Sequence, residues 1–571
     1  PRALLAAAAA LTALAFVAPG WDRSDFTAGL FRGHLLTDSI VHGSVLDREV
    51  VYYRDGVSTT VSVERAGESW VLKNNGKVEA SDRHDMPTQI LVGLMPTLLH
   101  GGADQDVFVI GYGSGVTVGA ITQDERVARI DVAELEPAVI EAADRYFAEV
   151  SHHPARDRRV HRFLGDGRNV LLAQDRRYDV IVSEPSNPWI AGVASLFTAD
   201  FYRLARRRLA PGGIFCQWAQ LYELGPARVK MIYRTFSEAF PYVYAFTPGD
   251  ETTDTILLGA DHPIELDLAA LDARLAASPT LAAELARAEV TTPEELVASL
   301  FLGPDEVPSF VAGAGVNTDD NARLEHTAPR DLLASVRGNH FARAVRGPTW
   351  PYGHLDRVLS GLGDGSGRAA RELALGRALL AYGRRREATT WLERARPRAA
   401  PGAADRLDLL LRLSEPVDFA DPELVVTAGG GPLPAPSPRL FRTRDRERAE
   451  AAAAVLTEAY RLIAEGRWPA AWKRLRGLPA TTEDDAGRDV DLLAAYAAYK
   501  SVTEMVRARR MLRELYEDDA FVARRPAVSY YMGRASYGLG AFRDGVVALE
   551  RFADARPDLA REVVRTRLPT R

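Results

Sequence analysis

Between Val50 and Val78 apolar and polar residues alternate, the period of a strand with one buried face. Runs over Val57–Val63 and Trp70–Leu72 are separated by Gly67 and closed by Asn74, Asn75 and Gly76, which predicts a small antiparallel sheet of hairpins. From Asp106 onward short apolar runs alternate with amphipathic stretches. Strands are predicted over Asp106–Ile110, Arg129–Ala133, Tyr178–Ser183 and Ile214–Trp218, and helices over Val116–Thr122, Pro137–Phe147 and Thr198–Leu209, the last capped by Thr198. Such alternation builds a parallel sheet covered on both faces. Tyr242–Phe246 and Thr255–Leu258 supply two late strands suited to an antiparallel edge. Beyond about residue 365 the pattern is helical. The spacing Leu375, Gly376, Gly383, Ala388, Leu392, Ala395 recurs as Met532, Gly533, Gly540, Phe542, Leu549, Pro557, with degenerate copies around Gly466 and Ala508. Small residues at a helix contact, a turn glycine and a closing proline are what stacked antiparallel helix pairs of a 34-residue repeat require. This resembles tetratricopeptide repeats, in about four units; an ordinary bundle with chance spacing is the alternative.

A chain of 571 residues exceeds one ordinary domain. With 47% hydrophobic and 26% charged residues it has the composition of globular proteins, which excludes wholesale disorder. Its 71 basic and 77 acidic residues leave a net charge of −6, so nucleic acid is not an expected partner. The single cysteine, Cys216, lies in an apolar strand run and excludes both an internal disulfide and a Cys-rich zinc site. At the other extreme of polarity, Ala3–Ala18 is apolar throughout, just short of the roughly 17–25 residues that span a bilayer, and Trp21 follows Pro19 and Gly20. This run reads as the end of a membrane segment.

The chemistry concentrates where strands end. Gly111, Gly113 and Gly115 stand between the first parallel strand and its helix, where backbone amides favour a polar or anionic ligand. Glu134 follows about 20 residues on at the next strand tip, where a carboxylate accepts both hydroxyls of a ribose. Asp166, beside Gly165 and Gly167, suits an exocyclic amine such as that of adenine. Each has a plainer reading: the glycines make a tight turn, and Glu134 or Asp166 caps a helix. Together, with Glu184 on the same sheet edge, they predict an adenosine site. A nicotinamide cofactor is disfavoured because Val116 stands where the third glycine of that motif belongs. The pair His152–His153 is read as a surface turn rather than a metal site, and no metal is expected.

The ordered set formed by Asn75, Gly76, Gln89 and Pro96, the glycine loop, Glu134 to Glu136, Gly165 to Gly167, Glu184 to Pro188, Leu196, Phe197, Phe201, Tyr202 and Pro211 to Gly213 resembles the spermidine synthase family. These aminopropyltransferases use decarboxylated S-adenosylmethionine. The resemblance implies an α/β fold: a small antiparallel β domain, then a seven-stranded Rossmann-like, methyltransferase-type domain, followed here by an all-α repeat domain. The expected division is 1–20, end of a membrane segment; 21–100, β-sheet domain; 101–262, nucleoside-binding domain; 263–345, mixed helical extension; 365–415, first helical repeats; 428–440, linker; and 445–571, further repeats. The membrane run and the phrase Asn317–Glu325 look like a bacterial subgroup with a fused membrane domain. That implies an inner-membrane protein whose catalytic domain faces the cytoplasm.

Carried over by motif, Glu134 holds the ribose, Asp166 with Gly167 the adenine, and Gln89 the thioether or aminopropyl end. The acceptor side departs from the family: Ser114 replaces an Asp in the glycine loop, Thr88 replaces a Tyr, and the paired-Asp motif becomes Glu184-Pro-Ser-Asn187-Pro. No counterpart of the late Tyr follows Phe246. Ser114 and Asn187 therefore line the amine, and Glu184 is the remaining motif carboxylate able to act as base. Burial beside Pro185 and Trp189 is expected to raise its pKa. Asp319, Asp320 and Glu325 either return acidic charge to the amine or form a capped turn. Trp189 and Trp218 stack on a ligand or pack beside the strand ends. Expected partners are a small-molecule amine, the membrane, a protein on the repeats and a second copy of the chain. Two alternatives are an S-adenosylmethionine methyltransferase, suggested by Ser186–Trp189, and a non-catalytic nucleoside sensor.

Overall fold

A computed structural model describes residues 23–27, 29, 48–83, 85–248, 254–333, 359–415, 433–501 and 503–565. The apolar run 1–20 and the stretch 334–345 lie outside the described residues. The chain forms two compact units, one of residues 1–293 with 300–360 and the other of 294–299 with 361–571.

The first unit opens with four antiparallel strands in sequential order: β1 (Arg48–Asp55), β2 (Thr60–Ala66), β3 (Ser69–Asn74) and β4 (Lys77–Ser81). Asn75 and Gly76 both have positive φ and close the β3–β4 hairpin. The expected strand over 57–63 starts three residues late, because Val57 sits in the preceding turn and is 95% exposed. The buried face of this sheet, Tyr52, Val61, Val63, Leu72 and Ala80, packs against Ala138, Val139 and Ala142 of the helix Pro137–Tyr146.

The second sheet has eight strands rather than the expected seven. They are β5 (Gln105–Ile110), β6 (Val127–Glu134), β7 (Val160–Leu164), β8 (Tyr178–Ser183), β9 (Leu209–Gln220), β10 (Tyr242–Phe246), β11 (Asp254–Ala260) and β12 (Leu300–Leu302). Their order is 12-10-11-9-8-5-6-7. Strands β5 to β9 are parallel, whereas β11, β10 and β12 add an antiparallel edge. The extra strand is three residues of the chain expected to be helical extension, paired to β10. Successive parallel strands leave β5 in opposite directions, to β6 on one side and β8 on the other, which opens a crevice at their carboxyl ends. The helix Met86–Leu99, assigned by sequence to the β domain, packs instead on this sheet with Ile90, Leu91, Leu94 and Met95 buried.

The second unit is helical. Four successive pairs pack together: Gly365–Ala381 with Arg385–Ala395, Arg446–Ala464 with Trp468–Leu475, Asp485–Lys500 with Met505–Tyr516, and Ala527–Gly538 with Phe542–Ala555. Gly383, Gly466 and Gly540 lie at three of the turns with left-handed backbone. At Gly533 a Cβ would stand 2.6 Å from Leu549 Cγ, so the helix crossing requires the small residue. Residues 294–299 join this unit rather than the extension, because buried Glu294 and Glu295 pair with Arg371 and Arg377. The end of the expected linker is also packed: Leu433 and Leu440 lie on the core of the pair that follows.

Candidate active site

Every strand tip named by the motifs arrives at the carboxyl edge of the parallel sheet. Gly111 follows β5 at φ 96°, and a Cβ there would stand 2.7 Å from the Glu184 carbonyl oxygen, so glycine lets the loop cross the tip of β8. Gly113 and Gly115 also have positive φ, and Gly115 caps the helix Val116–Thr122. Glu134 at the tip of β6 locks this loop: its Oε2 accepts from Tyr112 N at 2.9 Å and its Oε1 from Glu136 N at 2.9 Å. It caps no helix; Glu136 does so, accepting from Ala138 N. Burial raises the Glu134 pKa, opposed by the backbone amides of Glu136 and Tyr112. Each oxygen keeps a second lone pair for a hydroxyl.

Asp166 follows β7 and does cap a helix, accepting from Asn169 N at 2.8 Å through Oδ1. The plainer reading thus holds for that one oxygen. Gly167 brings the helix so close to β5 that a Cβ would meet Ile110 Cγ2 at 2.5 Å. Asp319 does not supply charge to an amine. It pairs with Arg168 and accepts from Thr198 Oγ1 at 2.8 Å, while Glu325 accepts from Gly192 N. Both serve as ties and caps. His152 is more than a surface turn, since its ring lies 2.7 Å from the buried Glu284 carboxylate.

Glu184, directly after β8, accepts from Thr117 Oγ1 at 2.5 Å. Burial pushes its pKa up to about 8, against the Thr117 hydrogen bond and aided by the charge of Asp254. Gln89 and Ser114, expected on opposite sides of the ligand, are joined: the Ser114 hydroxyl donates to Gln89 Oε1, and Thr117 donates to the Gln89 carbonyl at 3.0 Å. Asn187 is fully buried, and its amide meets the Tyr222 phenol. The fully buried Gln220 amide has no hydrogen-bond partner among the described residues, which costs roughly 1–3 kcal/mol, a cost that a polar ligand removes.

Five further residues border this space and were not named as site residues from sequence. Asp254 opens β11 opposite Gln220, the last residue of β9, and accepts from Thr88 Oγ1 at 3.1 Å and Trp218 Nε1 at 3.2 Å. Trp218 is thereby a hydrogen-bonding wall of the crevice. Glu79 of β4 accepts from Ser186 Oγ at 2.6 Å and pairs with Lys77 Nζ at 2.8 Å. Tyr222, whose phenol is raised by burial against the opposing charge of Lys77, also feels Asp254 and Glu79. Thr117 completes the set. The antiparallel run of β11 was the available signal: its first residue must return to the edge where β9 ends.

Residues 88–249 match the family described as spermine/spermidine synthase domain. Over 228 residues the chain is 28% identical to polyamine aminopropyltransferase 2 of Hyperthermus butylicus, covering 37% of this chain and 74% of that protein. It is 28% identical to spermidine synthase of Dictyostelium discoideum over 31% of this chain and 62% of that one. It is 31% identical to polyamine aminopropyltransferase of Escherichia fergusonii over 27% and 52%. The chain thus spans about half to three quarters of these relatives. Among solved structures, spermidine synthase of Thermotoga maritima aligns at 22% identity and a TM-score of 0.34, covering 38% of this chain and 74% of that one. The matched range holds all the motif residues above from Gln89 to Asn187, whereas Glu79, Lys77 and Asp254 lie just outside it.

Proposed function

We propose that this chain transfers an aminopropyl group from decarboxylated S-adenosylmethionine to an amine. The observation that carries the reading is Glu184, a buried carboxyl poised near pH 8 at the strand edge where the glycine loop, Glu134 and Asp166 meet. Glu134 takes the ribose hydroxyls on its outward lone pairs, and the uncapped oxygen of Asp166 takes the purine amine. Gln89 lies toward the sulfonium. An ammonium has no lone pair, so the acceptor first gives a proton to ionised Glu184. The freed amine attacks the methylene carbon next to the sulfonium; the carbon–nitrogen bond forms as the carbon–sulfur bond breaks. Its electron pair returns to sulfur, and neutral methylthioadenosine leaves.

The test incubates the chain with decarboxylated S-adenosylmethionine and an amine panel. Methylthioadenosine release is expected; release of S-adenosylhomocysteine from S-adenosylmethionine instead would establish methyl transfer. Binding of the nucleoside with no turnover would establish a sensor. Within the same reading, the helix pairs are a tetratricopeptide-like scaffold for a protein partner, supported by the turn glycines and the small residue at Gly533. The run Ala3–Ala18 attaches the chain to an inner membrane with the synthase domain on the cytoplasmic side; no helix among the described residues is long and apolar enough to cross one.

A further inference from the structure

The acceptor side combines charges that the motifs alone do not reveal. Glu184 and Asp254 border the same helix turn: Thr117 donates both to Glu184 and to the Gln89 carbonyl, and the neighbouring Thr88 donates to Asp254 at 3.1 Å. A third carboxylate, Glu79, borders the compartment through Ser186 but is already bound to a buried ammonium, that of Lys77. Lys77 is 3% exposed and close enough to act on the Tyr222 phenol together with Asp254 and Glu79. The Gln220 amide, fully buried, has no hydrogen-bond partner among the described residues, and the Asn187 amide meets the Tyr222 phenol.

We propose that the acceptor compartment is matched to an amine with a single positive charge, the reacting nitrogen meeting Glu184 and Asp254 and the remainder of the molecule being uncharged and polar. The inference rests on the transfer reading and narrows its substrate class. A diamine brings a second ammonium toward the Lys77–Glu79 pair, which is neutral overall and offers that ammonium no free carboxylate. An uncharged hydroxyl or amide on the far end of a monoamine pairs instead with the orphan amide of Gln220.

The experiment compares butylamine, 4-aminobutanol and 1,4-diaminobutane as acceptors, following methylthioadenosine release. In parallel, each is titrated calorimetrically into the chain loaded with methylthioadenosine. Wild type is expected to favour both monoamines over the diamine by about tenfold or more in kcat/KM and in affinity, with the amino alcohol best. Lys77→Gln, which leaves Glu79 unneutralised, is expected to shift the preference toward the diamine by a similar factor. The double variant Lys77→Gln with Glu79→Gln removes both charges and is expected to restore the wild-type order, which separates charge from loss of packing. Methylthioadenosine release with the diamine preferred by wild type overturns the inference and leaves aminopropyl transfer standing. Monoamine-selective binding with no release from any amine overturns transfer while supporting the charge match. An unchanged preference in a folded Lys77→Gln chain also overturns the inference.

Discussion

The proposed nucleoside half and the proposed acceptor half of the crevice share one sheet edge but are built differently. The nucleoside half is held by the backbone: Glu134 is fixed by two main-chain amides and Asp166 by its own helix, all within one unbroken β5–β6–β7 succession. The acceptor half is held by side chains drawn from distant segments: Glu79 on β4, Thr88 and Gln89 on the first helix of the sheet, Glu184 after β8, and Asp254 on an antiparallel strand. A backbone-held half tolerates sequence change around it and keeps one ligand. A half held by side chains changes its charge with single substitutions, and so can change its acceptor.

The sharpest way to break this comparison is at Glu184. Glu184→Gln is expected to lower turnover by about 10²–10⁴ while nucleoside binding, followed by calorimetry, is retained. Loss of nucleoside binding as well would mean that the halves are not separable. Next in size, Glu134→Gln sets an amide N–H against a backbone N–H and removes the charged acceptor. Nucleoside affinity is expected to fall roughly 10–100-fold, with amine affinity at saturating nucleoside unchanged.

The pH dependence sharpens the acceptor half. Because Glu184 takes the proton as carboxylate, kcat/KM for the amine should rise with pH through about 8. Asp254 raises that value by its negative charge, so Asp254→Asn should move the rising limb to lower pH. The same raised pKa has a stability consequence. The unfolded chain releases the Glu184 proton near pH 4 and the folded chain near 8, so this group lowers stability progressively across that interval. Glu184→Gln should accordingly gain more in denaturant midpoint at pH 8.5 than at pH 4. The smallest effect is expected from Thr117→Val, which deletes the hydrogen bond that favours the carboxylate and should shift the limb upward by about one pH unit or less.

Alternation of apolar and polar residues, turn glycines and strand-tip carboxylates were enough to determine the hairpin sheet, the parallel strands, the paired helices and the arrival of the glycine loop, Glu134 and Asp166 at one strand edge. These are local consequences: periodicity sets the buried face, and in a right-handed β–α–β succession the next tip must arrive at the same edge. Even there, short or mixed pieces escaped. Three residues at Leu300–Leu302 carry no period long enough to mark a strand, and Glu294–Ser299 is claimed by its ion pairs with distant arginines. What tertiary structure alone decided is the acceptor wall. Lys77, Glu79 and Asp254 stand more than a hundred or about seventy residues from Glu184, and no spacing rule links them. They meet because the hairpin sheet lies against the helix Pro137–Tyr146 and because β11 runs back along β9, contacts set by the packing of whole elements.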